Sequence, residues 1–173
     1  MPVLFGEQEI AANAFSVDST FFKIFPYRVI AGSGRIVRPR DVVITRSFWK
    51  KKLGGKNAIG ATFKNTKGNK FTIIGVVDDP DTKTSWMPDI FMSDELDEFL
   101  FFDPIYAMLM APDTDIALLN KKYSKEHPRS KWSTYETVRY QYLPLKDLYY
   151  DKDHGKENKN YQYGNQSYVR VLM

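Results

Sequence analysis

The sequence predicts an α+β domain, and three observations carry the prediction. Apolar residues alternate at period two in some short runs and recur at helical spacing in others, with Gly, Pro and Asn punctuating the intervals. The two kinds of segment are interleaved as helix, strand, strand, helix, hairpin, strand, helix, strand, helix, strand, without an internal repeat. The balance of 43% hydrophobic against 27% charged residues over 173 positions is that of a folded domain of ordinary size.

Taken in order, Asp18 or Ser19 caps a short helix, Thr20–Phe25, which shows Phe21, Phe22 and Phe25 on one side and is stopped by Pro26. Tyr27–Ile30 reads as a strand and Gly32-Ser33-Gly34 as a turn. The exposed loop Arg38-Pro39-Arg40-Asp41 leads into the β-branched strand Val42-Val43-Ile44. Thr45 or Ser47 caps a second helix carrying Phe48, Trp49 and Leu53, which ends at Gly54-Gly55. After a turn at Asn57–Gly60 comes a hairpin: Ala61–Lys64, a turn at Asn65–Asn69, then Lys70–Val77. In its second strand Phe71, Ile73 and Gly75 alternate with Thr72, Ile74 and Val76, apolar enough for burial on both faces. Asp78-Asp79-Pro80-Asp81 is the loop that follows.

Further on, Trp86–Met92 is expected as a strand and Ser93–Leu100 as a short amphipathic helix with an acidic outer face. Ile105–Met110 is an apolar strand. Asp113 caps a helix over Thr114–His127, with Ile116, Leu119 and Tyr123 on one side and Pro128 as its stop. Glu136–Leu143 alternates as a half-buried strand, and Asp151–Asn165 is a polar loop. Phe21, Phe22, Phe25, Trp49, Leu53, Phe71, Ile73 and Val77 are expected to form one contiguous core.

Several classes of chemistry are excluded or disfavoured. With no Cys there is no disulfide, thiolate ligand or Cys nucleophile, which leaves the compartment open. Apolar runs fall short of the roughly 18 residues a membrane span needs. Met1–Ala14 lacks the pattern of a signal peptide, although a loop excised from between membrane helices would carry its targeting elsewhere. The formal charge of +4 is unevenly spread: Arg35–Lys70 holds 11 basic residues against Asp41 alone, and Phe71–Leu119 holds 11 acidic residues against Lys83 alone. Such polarity either steers a partner or marks two solvated faces.

His127 is expected at a helix C-terminus and His154 in the polar loop, with no metal-ligand spacing between them. Gly54-Gly55-Lys56 lacks the phosphate-loop spacing, and Gly32-Ser33-Gly34 lacks the third glycine of a dinucleotide-binding turn. Asp78, Asp79 and Asp81 form an acidic cluster without the Gly and terminal Glu of an EF-hand, so a loop or capping role outweighs an opportunistic ion. Asp94, Glu95, Asp97 and Glu98 face solvent on one short helix, a poor glycosidase pair. Ser19, Ser47 and Ser167 lie in no nucleophile elbow. The cluster of Arg35, Arg38, Arg40, Arg46 and Lys50–Lys52 around Trp49 invites a nucleic-acid reading, but Phe48, Trp49 and Leu53 are expected to face the core, which removes the stacking platform. No catalytic, cofactor-binding or metal residue is therefore assigned, no cofactor is expected, and the domain is read as no enzyme.

One pattern spans roughly residues 17–150. Val17-Asp18-Ser19-Thr20-Phe21-Phe22-Lys23-Ile24-Phe25 followed by Ile30-Ala31-Gly32 resembles the extracytoplasmic (periplasmic) core domain of MacB/FtsX-like ABC transporter permeases, Bacteroidetes type. The likeness continues through Asp41–Thr45, Lys52-Leu53-Gly54, Ala58-Ile59-Gly60 and Phe71–Pro80. It extends to Leu109 with Pro112–Ile116, and to Leu143–Tyr149. The resemblance implies a mixed α/β part with a smaller strand-rich subdomain inserted in it. On that division residues 1–16 are a remnant of the preceding α/β part, 17–95 the strand-rich subdomain, 96–150 the return to the α/β part, and 151–173 a polar loop and membrane-proximal end. It also implies a non-catalytic domain on the periplasmic face of the bacterial inner membrane, anchored by helices outside these residues. Such a domain couples ATP-driven helix motion to a substrate or partner. The implied partners are a second permease copy, a cytoplasmic ATPase subunit acting through the membrane part, and an envelope partner protein. No nucleic acid is among them, and the isolated domain is expected to be a monomer. The alternative is a free-standing envelope ligand- or protein-binding module.

Overall fold

The expected hairpin forms and becomes the centre of a mixed sheet. The computed structural model describes residues 1–81, 87–93, 107–123, 127–128, 137–138 and 142–148. The chain comprises two units, Met1–Met108 and Leu109–Met173.

In the first unit the elements are β1 (Pro2–Phe5), β2 (Gln8–Ala11), β3 (Ala14–Val17), α1 (Phe21–Ile24), β4 (Val29–Gly32), β5 (Asp41–Thr45), α2 (Arg46–Lys52), β6 (Thr62–Asn65), β7 (Lys70–Val77) and β8 (Ile90–Ser93). The strands run in the order β2-β1-β6-β7-β5-β8-β3, and β4 also pairs with β7. β5 and β7 are parallel, as are β3 and β8, while the remaining pairs are antiparallel.

β7 is long because it serves three neighbours. β5 lies along one edge from Thr72 to Val77. The other edge is divided: β6 pairs with Lys70–Thr72 and β4 with Gly75–Val77. The two short strands meet where Ile73 receives Gly60 N–H at 2.8 Å and Ile74 receives Ser33 N–H at 2.8 Å. The backbones approach closely there. A Cβ on Gly75 would overlap the Ser33 carbonyl, standing 2.7 Å from its carbon. Gly32, at φ +67°, would set a Cβ 2.8 Å from Ile59 Cδ1. Gly32-Ser33-Gly34 is thus more than a turn, because it is the crossing of one strand end over another.

Sequence alternation in β7 predicts one side for Phe71, Ile73, Gly75 and Val77, and the structure departs from this. The pairing with β5 skips from Val42–Ile73 to Val43–Gly75, leaving Ile74 as the extra residue of a bulge. Beyond the bulge the faces exchange. Phe71, Ile73 and Val76 join Val42, Ile44, Phe48 and Phe63 in one core, while Val77 joins Val17, Val43 and Phe91 in another, with Ile74 packed against it. The expected single core is therefore two, one on each face of the sheet. Phe21 and Phe22 cover the second, and Trp49 and Leu53 flank the first. Phe25 packs against Phe21 in a tilted ring pair with centroids 5.0 Å apart.

β1 and β2, joined at Gly6-Glu7, form a hairpin that the sequence reading passed over. Val3 and Ile10 bury its inner face against the first core.

In the second unit α3 (Ile116–Tyr123) is shorter than the expected helix. Its cap is Asp115, whose carboxylate accepts Leu118 N–H at 3.0 Å, and not Asp113. His127 lies beyond the helix, in β9 (His127–Pro128), paired with Val138 of β10 (Thr137–Val138). A residue preceding proline is pushed from helical towards extended backbone, which accounts for the strand conformation of His127 before Pro128. Only Thr137–Val138 of the expected Glu136–Leu143 strand are paired among the described residues, and 142–144 are irregular. Of the expected Ile105–Met110 strand, Ala107–Met110 is irregular, with Leu109 83% exposed, and 105–106 lie outside the described residues. α4 (Leu145–Leu148) follows. Asn120 holds the chain before α4 through both ends of its amide: Nδ2 donates to Tyr142 O at 2.9 Å and Oδ1 accepts Tyr142 N–H at 2.7 Å.

The Ser93–Leu100 helix, apart from Ser93 at the end of β8, lies outside the described residues, as do Trp86, the Asp151–Asn165 loop, His154 and Ser167. Among the described residues no helix is long and apolar enough to cross a membrane.

Candidate interaction surface

The acidic loop after β7 is built into the fold. Asp78 Oδ2 accepts from Arg28 Nε at 3.0 Å and from Arg46 Nη2 at 2.8 Å, and Arg28 Nη2 also donates to it. The hydrogen bond from Arg28, reinforced by the Arg46 charge, holds the Asp78 carboxyl below the usual carboxylate range against the opposing effect of burial. Asp79 works at the start of α2. Its Oδ2 accepts Ser47 N–H and Ser47 Oγ–H, each at 3.0 Å, while Thr45 Oγ1 accepts Phe48 N–H at 3.4 Å. The capping residue is thus Thr45, and Ser47 hands its amide to Asp79.

This arrangement can do little chemistry. An open groove of about 550 Å³ runs past Tyr27, Arg28, Asp78, Asp79 and Asp81. Asp78 is committed to two guanidiniums, and burial followed by the Asp79 charge pushes the Tyr27 hydroxyl up. Neither is poised to exchange a proton near neutrality, as a general acid or base must be. Among the described residues no three His, Asp or Glu side chains are grouped to hold a metal ion. Asp94, Glu95, Asp97 and Glu98 lie outside the described residues.

The basic stretch is divided between two places. Lys50, Lys51 and Lys52 occupy the last turn of α2, where cations favour the exposed carbonyls. Trp49 is half-buried against the first core, and its Nε1–H donates to Lys56 O at 2.6 Å, so it is not a free stacking platform. Arg38, Arg40 and Lys70 border a second open groove, about 640 Å³, with Pro39, Asp41 and Thr72. Asp41 is buried and paired with Arg38, at 3.0 Å to Nη2. The Arg40 guanidinium stands 6.0 Å from the centre of the Phe71 ring. The meeting of Arg40 with Lys70 was not foreseen, since it depends on the crossing of β5 beside β7.

The sequence profile of the MacB-like periplasmic core domain matches residues 2–122. The chain belongs to this family. As a MacB-like periplasmic core domain it is a non-catalytic, extracytoplasmic module of the MacB/FtsX family. Its fold is similar to the periplasmic region of MacB from Actinobacillus actinomycetemcomitans, with 18% identity and a TM-score of 0.54 over 71% of this chain and 59% of that one. It is also similar to a domain assigned to a permease of Porphyromonas gingivalis, with 15% identity and a TM-score of 0.57 over 70% and 61% of the two chains. The MacB-like chain thus spans about three-fifths of either relative. A comparison with curated proteins finds no significant match.

Proposed function

We propose that this domain couples ATP-driven motion of membrane helices to the engagement of a substrate or partner in the cell envelope. On this reading it sits on the periplasmic face of the inner membrane, anchored by helices of a longer permease. That permease works with a second copy of itself and with a cytoplasmic ATPase. On this reading residues 1–16 are a remnant of the preceding α/β part, 17–95 act as the smaller strand-rich part, and 96–150 lead back to the α/β part, with 151–173 next to the membrane. The family match over residues 2–122 is the observation that carries the proposal. The build of the first unit supports it: a sheet packed on both faces transmits displacement without absorbing it.

The chain has no Cys, so a single Lys67→Cys substitution in the exposed β6–β7 turn gives one reactive thiol within it. In intact cells carrying the full-length protein, a membrane-impermeant maleimide should label that thiol, at a rate that changes when the ATPase is trapped with vanadate. Labelling only after lysis would overturn the placement. A rate indifferent to nucleotide state would overturn the coupling.

A further inference from the structure

We infer that the outer face of the β6–β7 hairpin is a docking surface for an acidic polypeptide segment, an inference that rests on the partner-engaging role proposed above. Phe63 and Phe71 point into the first core, so Thr62, Lys64, Lys70 and Thr72 point to the opposite face of the sheet, away from α2. Lys64 and Lys70 are both exposed and directly opposite one another. Hydrogen bonds from Ile73 N to Ala61 O at 2.9 Å and from Asn65 N to Asn69 O at 3.0 Å mark the flanking pairs as hydrogen-bonded. Lys64–Lys70 is therefore a non-hydrogen-bonded pair, with Cα atoms about 4.5 Å apart and side chains at their closest.

Like charges so placed oppose folding. Neither lysine is in an ion pair among the described residues, where the pairs are Arg28–Asp78, Arg38–Asp41 and Arg46–Asp78. Across the sheet the row continues through Leu4 to Glu9, two strands from Lys64 or about 10 Å, close to the screening length in physiological salt. On the other side the Arg38–Arg40–Lys70 groove adds cations, and Asp41, its one carboxylate, is taken by Arg38. Lys64 and Lys70 thus form a patch whose charge lacks a carboxylate partner within the described residues.

The shape selects the occupant. The groove is open, and Lys64 of β6 stands beside its Lys70 of β7, a row that suits a run of carboxylates on an extended chain better than one small anion. A lipid surface would call for exposed aromatic or large apolar side chains to insert, and the row offers only the half-buried Leu4 and the groove none.

Fluorescence anisotropy with a labelled (Glu-Ser)5 peptide in low salt tests the surface. The 173-residue chain should bind this peptide and not (Gln-Ser)5. The double variant Lys64→Gln/Lys70→Gln should weaken binding about tenfold, as loss of two exposed charge pairs implies, with an unchanged or higher urea midpoint. The pair Lys51→Gln/Lys52→Gln, on α2, should change it less than about twofold. Absence of binding, or equal loss in both variants, overturns the inference. So does preferential sedimentation with vesicles of 30% phosphatidylglycerol in phosphatidylcholine, if it depends on Lys64 and Lys70. Any of these results beside external labelling of Lys67→Cys would defeat the docking surface and leave the extracytoplasmic role standing.

Discussion

Gly75 lies so close beneath Ser33 that a side chain at position 75 would occupy the space of the Ser33 carbonyl. The obstacle is backbone on both sides, and Ser33 N–H is tied to Ile74 O at 2.8 Å, so neither strand end can withdraw cheaply. Gly75→Ala should destabilise the first unit by about 2–4 kcal/mol through overpacking at a fixed crossing. Urea denaturation followed by Trp fluorescence measures it; a loss below about 0.5 kcal/mol would mean that the crossing is loose.

Phe48 and Trp49 are neighbours on α2 with different fates. Phe48 is 1% exposed in the first core, whereas Trp49 only flanks it. Phe48→Ala should cost about 3–5 kcal/mol by lost transfer and a cavity. Trp49→Ala should cost about 2, since part of the indole stays in water. Equal losses in parallel denaturation curves would contradict this ranking.

The Arg28–Asp78–Arg46 cluster gives stability a defined pH dependence. The folded-state pKa of Asp78 lies below its unfolded value of about 4, so its contribution is complete above that value and is lost as pH falls through the folded pKa. Asp18 acts in the same direction, its carboxylate held down chiefly by the Thr20 hydroxyl. The urea midpoint should therefore fall as the pH drops below about 4. Asp78→Asn should lower the midpoint at pH 7 and flatten, though not abolish, the acid slope. An unchanged slope would mean that the two arginines do not hold Asp78 in solution.

The isolated chain should be a monomer at micromolar concentration. Contacts steered by charge are weak without the effective concentration that a membrane tether provides, and they weaken further with salt. Sedimentation velocity at 50 and 500 mM NaCl checks this. A tight dimer insensitive to salt would point to an apolar interface instead.

Local signals were legible where a short segment carried its own instruction. The block from β5 to β7 lies within a residue or two of its expected place, because β-branched runs, the Thr45 cap and the Asn65–Asn69 turn act over a few residues. The same logic failed at α3, where two nearby aspartates could cap and only the fold selects Asp115. It missed the β1–β2 hairpin, whose Gly6-Glu7 signal is short and whose apolar residues acquire an inner face only against β6. For the candidate surface, the surplus of lysine and arginine was visible in composition, but the opposition of Lys64 and Lys70 follows from strand register alone.

By itself the sequence determined the class, the central strand–helix–hairpin block, the want of Cys, and the family pattern, read over roughly residues 17–150 where the family profile matches 2–122. Tertiary structure decided what depends on residues far apart in the chain. It placed a bulge at Ile74 that sends Val77 to a different core from Phe71, and it brought Arg28 to Asp78 across fifty residues. Propensity and periodicity act within a turn or a strand, whereas register and side-chain pairing are chosen by packing of the whole sheet, because a one-residue slip exchanges the two faces.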